Sequence, residues 1–343
     1  MRENYLQKPL PVDRDPCLER NLQKLIPFIM YSKTCSLFLV FLSCLYSTGS
    51  TQCPSYGKLP RNSEYSKMEV GDEIATLVRF SGKTIEDLLE VLDQFDRETK
   101  LDLLLERVEI FDLPSRSLDN WNIVGLDIYD CKFKNLEDLG QAVLTGLDQT
   151  LKEISITGFR EENTTKLEVN HLRKLTTLKL NFNHISQVGD DWFEEGPTSL
   201  TEVTLHYNEI EKLGDRAFAN LFNLRKLAVN GNKMGYVKRS MIPQPANHLE
   251  ELHLDNNRLE TIPEDMFSDM PSLKKLSLKN NKLTQLPETT FKAIWLQVEY
   301  FDVIYNSFVC DSHMAWLLEY EDTRNKRKPN CSNNEKGRRP RGK

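Results

Sequence analysis

At 343 residues, with 39% hydrophobic and 28% charged side chains, the chain has the composition of a soluble protein of one large or two ordinary domains. Its 45 Lys and Arg against 51 Asp and Glu leave a formal charge of −6. A general nucleic-acid binder carries a basic excess over much of its surface, so no nucleic-acid partner is expected.

In chain order, the first informative stretch runs from Lys33 through an apolar segment ending at Leu45-Tyr46 to the small residues Ser47 to Thr51. One positive charge, about a dozen apolar residues and a small-residue exit describe a secretory signal peptide, and the run is short for a membrane span. A start at Met30 would place Lys33 in an ordinary basic leader and make residues 1–29 an upstream extension. The alternative is a signal anchor with residues 1–33 in the cytosol. Residues 1–51 are therefore set apart as extension and leader, and the mature product is expected outside the cell. The far end closes on Arg338-Arg-Pro-Arg-Gly-Lys343, with no apolar segment, so no membrane anchor is expected there.

Residues 52–100 read as an N-terminal cap. Thr84 with Asp87 three positions on has capping-box spacing, and Ile85, Leu88, Leu89, Leu92 and Phe95 fall on one face of the helix that would follow.

From 101 to 309 the chain repeats itself. Two copies make the frame plain: Leu249-Glu-Glu-Leu252-His-Leu254-Asp-Asn-Asn257-Arg-Leu259, then Leu273-Lys-Lys-Leu276-Ser-Leu278-Lys-Asn-Asn281-Lys-Leu283. The asparagine recurs as Asn183, Asn208, Asn232, Asn257, Asn281 and Asn306, at steps of 25, 24, 25, 24 and 25 residues. Such self-similarity marks a leucine-rich-repeat solenoid: a curved α/β repeat with a parallel concave sheet, about nine units long. The Leu-x-Leu alternation predicts a short strand with its apolar face inward. The asparagine follows where the chain turns, where its amide can satisfy backbone groups left unpaired. Cys131 takes that slot in an early unit and reads as a buried core thiol, while Phe193, Phe218, Phe267 and Phe291 fill the space beneath the outer face. Pro263 and Pro287 after the strand-turn predict extended or short-helical outer segments.

Beyond the last asparagine come Cys310, Ser312, Trp316-Leu317 and Cys331. This stretch resembles the cysteine-rich C-terminal cap of secreted leucine-rich-repeat proteins, which bounds a C-terminal cap at 310–331. Ser312 stands where that pattern has its second cysteine, and the resemblance then implies a single Cys310–Cys331 disulfide. Cys53 is left as the odd thiol. The leader, Cys53-Pro54, the Leu77-Val-Arg-Phe-Ser-Gly82 entry and the reduced cap together resemble a group of secreted arthropod proteins similar to the non-catalytic subunit of a shrimp luciferase. That resemblance implies a role beside a catalytic chain and no chemistry of its own.

The variable positions of the frame should line the concave face. Glu202, Glu251 and Tyr300 fall in one column, His206, Asp255 and Lys279 in a second, and Phe182, Tyr207 and Tyr305 in a third, with His253 between. Tyr, His and mixed charge suit a protein-binding surface, and a partner would dock either here or on an edge of the solenoid. His206 and His253 lie two strands apart, about 10 Å at the usual strand spacing, too far to share a metal. No phosphate loop or nucleophile motif occurs, so neither cofactor nor catalysis is expected. Asn163-Thr-Thr165 and Asn330-Cys-Ser332 are N-glycosylation sequons. The basic run into residues 332–343 forms either a site for heparin-like polyanions or a disordered tail.

Overall fold

The computed structural model describes residues 63–70, 73–81, 85–109, 116–133, 136–159, 166–309 and 312–320, with positions 323, 325, 326 and 329. The chain divides into two units, Met1–Cys53 and Pro54–Lys343, and all described residues belong to the second. The leader, Cys53, Thr84, Asn163, Cys310, Asn330, Cys331 and the basic tail lie outside the described residues.

Nine short strands carry the repeat: β3 (Leu101–Glu106), β4 (Ile123–Tyr129), β5 (Glu153–Thr157), β6 (Thr177–Asn181), β8 (Glu202–Thr204), β10 (Lys226–Ala228), β11 (Glu251–His253), β12 (Lys275–Ser277) and β13 (Tyr300–Asp302). Each pairs in parallel with the next in an 11-stranded sheet completed by β1 (Ser63–Val70) and β2 (Glu73–Phe80). Two-residue strands β7 (Gln187–Val188) and β9 (Lys212–Leu213) form a second small parallel sheet. The fold is a leucine-rich-repeat solenoid, as the period predicts.

The strands are short because only two inward leucines per repeat need burying. In β6 those are Leu178 and Leu180, in β11 Leu252 with Leu254 just beyond it, and all four are buried. The outer segments are built from turns, the 3₁₀ stretches Asp190–Phe193 and Arg239–Met241, and one longer helix, α3 (Glu288–Gln297). Beneath them the phenylalanines stack, with ring centroids 5.7 Å apart for Phe193 and Phe218 and 5.6 Å for Phe267 and Phe291. Buried Arg239 holds three outer-loop carbonyls, those of Ser268, Ile242 and Pro243.

The asparagines form a ladder between repeats. Asn257 accepts the Met234 N–H at 3.2 Å and donates to the Val229 and Leu254 carbonyls at 3.0 and 3.1 Å, so one amide ties three backbone groups of two turns. Asn281 repeats the pattern on Leu259, Leu254 and Leu278, and Asn306 on Leu283, Leu278 and Val303. Asn208 and Asn232 likewise bridge two turns, while Asn183 accepts the Phe159 N–H and donates to the Ile156 carbonyl of the preceding one. In the Cys131 rung, Sγ accepts the Val108 N–H at 3.3 Å, and burial pushes the thiol up to about 11, so it stays protonated and unreactive at neutral pH.

The N-terminal end differs from a plain helical cap. β1 (63–70) and β2 (73–80), the latter containing the Leu77 to Phe80 entry, pair antiparallel, and β2 then continues the parallel sheet into β3. Alternation is visible towards the end of β2, where Val78 and Phe80 enter the core and Arg79 between them is exposed, while Ala75 packs with Val124 away from that core. Helix α1 (Ile85–Leu92) follows, burying Leu88, Val91 and Leu92, with Leu89 and Phe95 packed against the same core. A third helical stretch, α2 (Leu136–Leu139), runs into the π-turn Gly140–Leu144. At the other end the 3₁₀ segment Ser312–Glu319 lays Met314, Trp316 and Leu317 over the last repeat, with the Trp316 indole donating to the Leu286 carbonyl at 3.0 Å. The chain then returns beside β13, where the Phe301 N–H donates to the Asn325 carbonyl at 2.9 Å.

Candidate binding face

Pairing fixes which side chains share the concave face. Glu202, Lys226, Glu251, Lys275 and Tyr300 stand opposite one another in register, forming a column of alternating charge. Adjacent members pair: Lys226 with Glu202 at 2.8 Å, and Lys275 with Glu251 at 2.6 Å. His253 Nε2 adds a contact to Glu251 at 3.2 Å. Burial opposes ionisation of Glu251, but the hydrogen bonds from Lys275 and His253 outweigh it and hold the carboxyl below its usual range. His206 is held below the usual imidazole range by burial, helped by nearby Lys226 and His253. Among the described residues its Nδ1 has no hydrogen-bond partner. Half-exposed pairs of this kind contribute about 0–1 kcal/mol each, so they shape the surface potential more than the stability.

The aromatic column has a backbone signature that the sequence reading missed. One residue per repeat, immediately before the ladder position, has a left-handed φ: Arg107, Asp130, Gly158, Phe182, Tyr207, Gly231, Asn256, Asn280 and Tyr305, between 50° and 86°. The cause is the inter-repeat hydrogen bond. The Phe182 N–H donates to His206 O at 2.8 Å, Tyr207 to Asn230 O at 2.9 Å and Gly231 to Asp255 O at 3.0 Å, and each bond sets the direction in which the strand ends. Gly158, Gly231, Asn256 and Asn280 are the residue types that tolerate this conformation, and their recurrence was the available signal. Phe182, Tyr207 and Tyr305 are bulky residues that pay about 1–2 kcal/mol each to sit there.

Those three are also exposed, at 58%, 51% and 67%. Phe182 stacks on Tyr207 with centroids 4.8 Å apart. Tyr207 in turn leans over Gly231, where an added Cβ would come within 2.6 Å of its ring. Only glycine leaves that space. Tyr305 stands alone under Lys279, whose Nζ is 5.4 Å from the ring centre. Replacing Tyr305 by Asn, the residue of the two preceding rungs, is expected to raise stability by about 0.5 kcal/mol, because relief of strain exceeds loss of an exposed cation–π contact. Urea unfolding of the variant checks this, and a clear loss would show that the tyrosine is not strained.

Towards the N-terminus the same face carries groups that were not singled out from sequence. Asp102 is only 4% exposed, and Asp127 lies on the next strand. Burial, with Asp127 and Glu153 close by, pushes Asp102 up to about 7 against the opposing pull of Lys179. Burial also raises Asp127, opposed by a hydrogen bond from Ser155. Beside them a hollow of about 320 Å³ is lined by residues including Arg79, Leu104, Glu106, Asp127, Tyr129, Ser155 and Thr157. The Leu101-Asp102-Leu103 and Leu126-Asp127-Ile128 alternations were the signal for outward carboxylates. Their burial was not legible. Among the described residues no group of three His, Cys, Asp or Glu side chains is placed to hold a metal, and no helix is long and apolar enough to cross a membrane.

Comparison with known proteins agrees with this architecture. Residues 173–234 and 247–295 match the leucine-rich-repeat family model. No curated protein matches the chain. Among solved structures, a leucine-rich-repeat protein of Leptospira interrogans aligns at 22% identity and TM-score 0.53 over 73% of this chain and 64% of its own. The crystal structure of a TLR13–ssRNA13 complex aligns at 18% identity and TM-score 0.48 over 64% of this chain and 34% of that one. The chain therefore spans about a third of the latter's length and just under two thirds of the former's. The repeat frame, the asparagine ladder and this match agree on leucine-rich repeats stacked as a solenoid, with the family model itself matching about a third of the chain.

Proposed function

We propose that this protein is an extracellular binding module that takes a protein ligand on its concave face and performs no catalysis of its own. The observation that carries the reading is the Phe182–Tyr207 pair: two exposed, stacked aromatic rings on backbone that favours Gly or Asn. Exposed aromatics held at a cost to stability are the composition of a binding hot spot. The alternating charges beside them supply a polar rim that selects the partner's charge pattern. Secretion is inferred from the apolar run after Lys33 and its small-residue exit, and glycosylation from Asn163-Thr-Thr165. An accessory role beside a secreted enzyme is one form this binding would take.

The test uses the double variant Phe182→Asn/Tyr207→Asn, which places a tolerated residue on each left-handed rung. Loss of the ring stack, about 1 kcal/mol, is offset by relief of strain, so the fold is expected to stay intact by circular dichroism. The native chain, used as bait in the extracellular fluid of its source, should retain one stoichiometric protein through a salt wash, and the variant should lose it. Retention by both chains would move the partner off this face. Capture of nucleic acid in place of protein would overturn the choice of partner class.

A further inference from the structure

We infer that the hollow beside Tyr129 is a subsite for one basic side chain, arginine or lysine, of the protein ligand. Asp127 is its carboxylate partner, Tyr129 its ring wall and Asp102 the second negative charge behind. This assignment rests on the reading of the concave face as a protein-binding surface.

Charge on this part of the face is unevenly matched. Glu106 is approached by Arg79 at 3.8 Å and Arg107 at 3.4 Å, Asp130 by Arg107 at 3.8 Å, and Glu153 by Lys179 at 3.8 Å. Asp102 and Asp127 have no cation within ion-pair distance among the described residues. Asp102 also receives no hydrogen bond at its carboxylate there, although it is 4% exposed. A buried carboxyl without hydrogen bond or counter-ion is costly, and a group from outside the chain is what would complete it.

The register aims both carboxylates the same way. Asp102 stands opposite Gly125, so Asp102, Leu104, Gly125 and Asp127 share the concave face, and Gly125 places no side chain between the two acids. Leu104 and Asp127 line the hollow itself. Tyr129, 47% exposed, borders it, and a cation against an exposed ring gains about 0.5–1 kcal/mol. Asp127, the unpaired carboxylate that lines the hollow, suits the forked donors of a guanidinium, with Asp102 on the neighbouring strand adding charge rather than contact, and about 320 Å³ accommodates the head and part of its stem. Burial and the neighbouring acids push the Asp102 carboxyl up to about 7, and a cation entering the hollow favours its ionised form.

The experiment is a titration of the full chain, followed by the backbone amide signals of Tyr129 and Thr157, with three probes: N-acetyl-arginine amide, N-acetyl-lysine amide and the neutral isostere N-acetyl-citrulline amide. Saturable binding of the cations with no response to citrulline is expected, and Asp127→Asn should weaken it about tenfold. Should Asp127→Asn fail to fold, Tyr129→Ala, at an exposed position, should weaken it about threefold. Equal response to citrulline, or cation binding unchanged in the folded variants, overturns the subsite. If the cations fail to bind while protein capture through Phe182 and Tyr207 persists, only this subsite falls. If they bind while capture is lost from neither chain, the broader reading falls instead.

Discussion

Asn257→Ala is expected to destabilise the protein by about 3 kcal/mol, measured by urea unfolding, although the side chain removed is small and polar. Its amide serves the Met234 N–H and the Val229 and Leu254 carbonyls, and Asn257 itself is 8% exposed. Alanine leaves those three groups in a region that water cannot easily reach. Each unsatisfied buried group costs about 1–3 kcal/mol, partly recovered as the turn relaxes. The loss should also be local, because each repeat contacts only its neighbours. Hydrogen exchange at the Met234 amide should therefore speed up more than exchange in β4 or β5. Asn306→Ala, on a half-buried rung near the end of the array, should cost about 1 kcal/mol, since water replaces part of what is lost. Equal losses at the two positions would show that the ladder's contribution does not come from burial.

The second large effect runs in the opposite direction. Asp102→Asn is expected to stabilise the protein by about 2–4 kcal/mol near pH 8. The carboxyl binds its proton more tightly in the folded chain, where its pKa is raised from 3.8 to about 7, than in the unfolded one. Between those values the folded state carries more protons than the unfolded state, so native stability falls as pH rises through the window and stays low above it. Asparagine cannot ionise and avoids the loss. The gain should shrink as pH falls from about 7 and vanish by about pH 4, where the native carboxyl is protonated in both states. Chemical unfolding across this range gives the curve, and a gain independent of pH would place the effect in packing. The same substitution should weaken the arginine probe, so a residue that costs stability would be one that serves binding.

Much of the fold was legible because the repeat imposes one constraint many times. Leu178, Leu252 and Leu276 recur at the frame positions that face the core, and Asn257 and Asn281 recur where the chain leaves the strand. No repeat can bury those leucines alone, so the period itself implies stacking and a parallel sheet. The N-terminal strand pair was harder to read, because β1 and β2 occur once and have no second copy to align with.

For the candidate site, what the sequence carried was the frame: Glu202, His206 and Tyr207 occupy its variable positions around Val203, Leu205 and Asn208, which are the ones assigned to the core. Tertiary structure alone decided the rest. Whether an outward carboxylate is half-exposed and ion-paired, like that of Glu202, or sunk among neighbours without a cation, like that of Asp102, depends on the adjacent repeats and on the gap left at Gly125. The strained φ of Phe182 and Tyr207 likewise arises from hydrogen bonds to the following repeat, about 25 residues away in the chain. Periodicity is a local property of the chain and could be read there. Desolvation and strain are set by what packs alongside, and only stacking the repeats produces them.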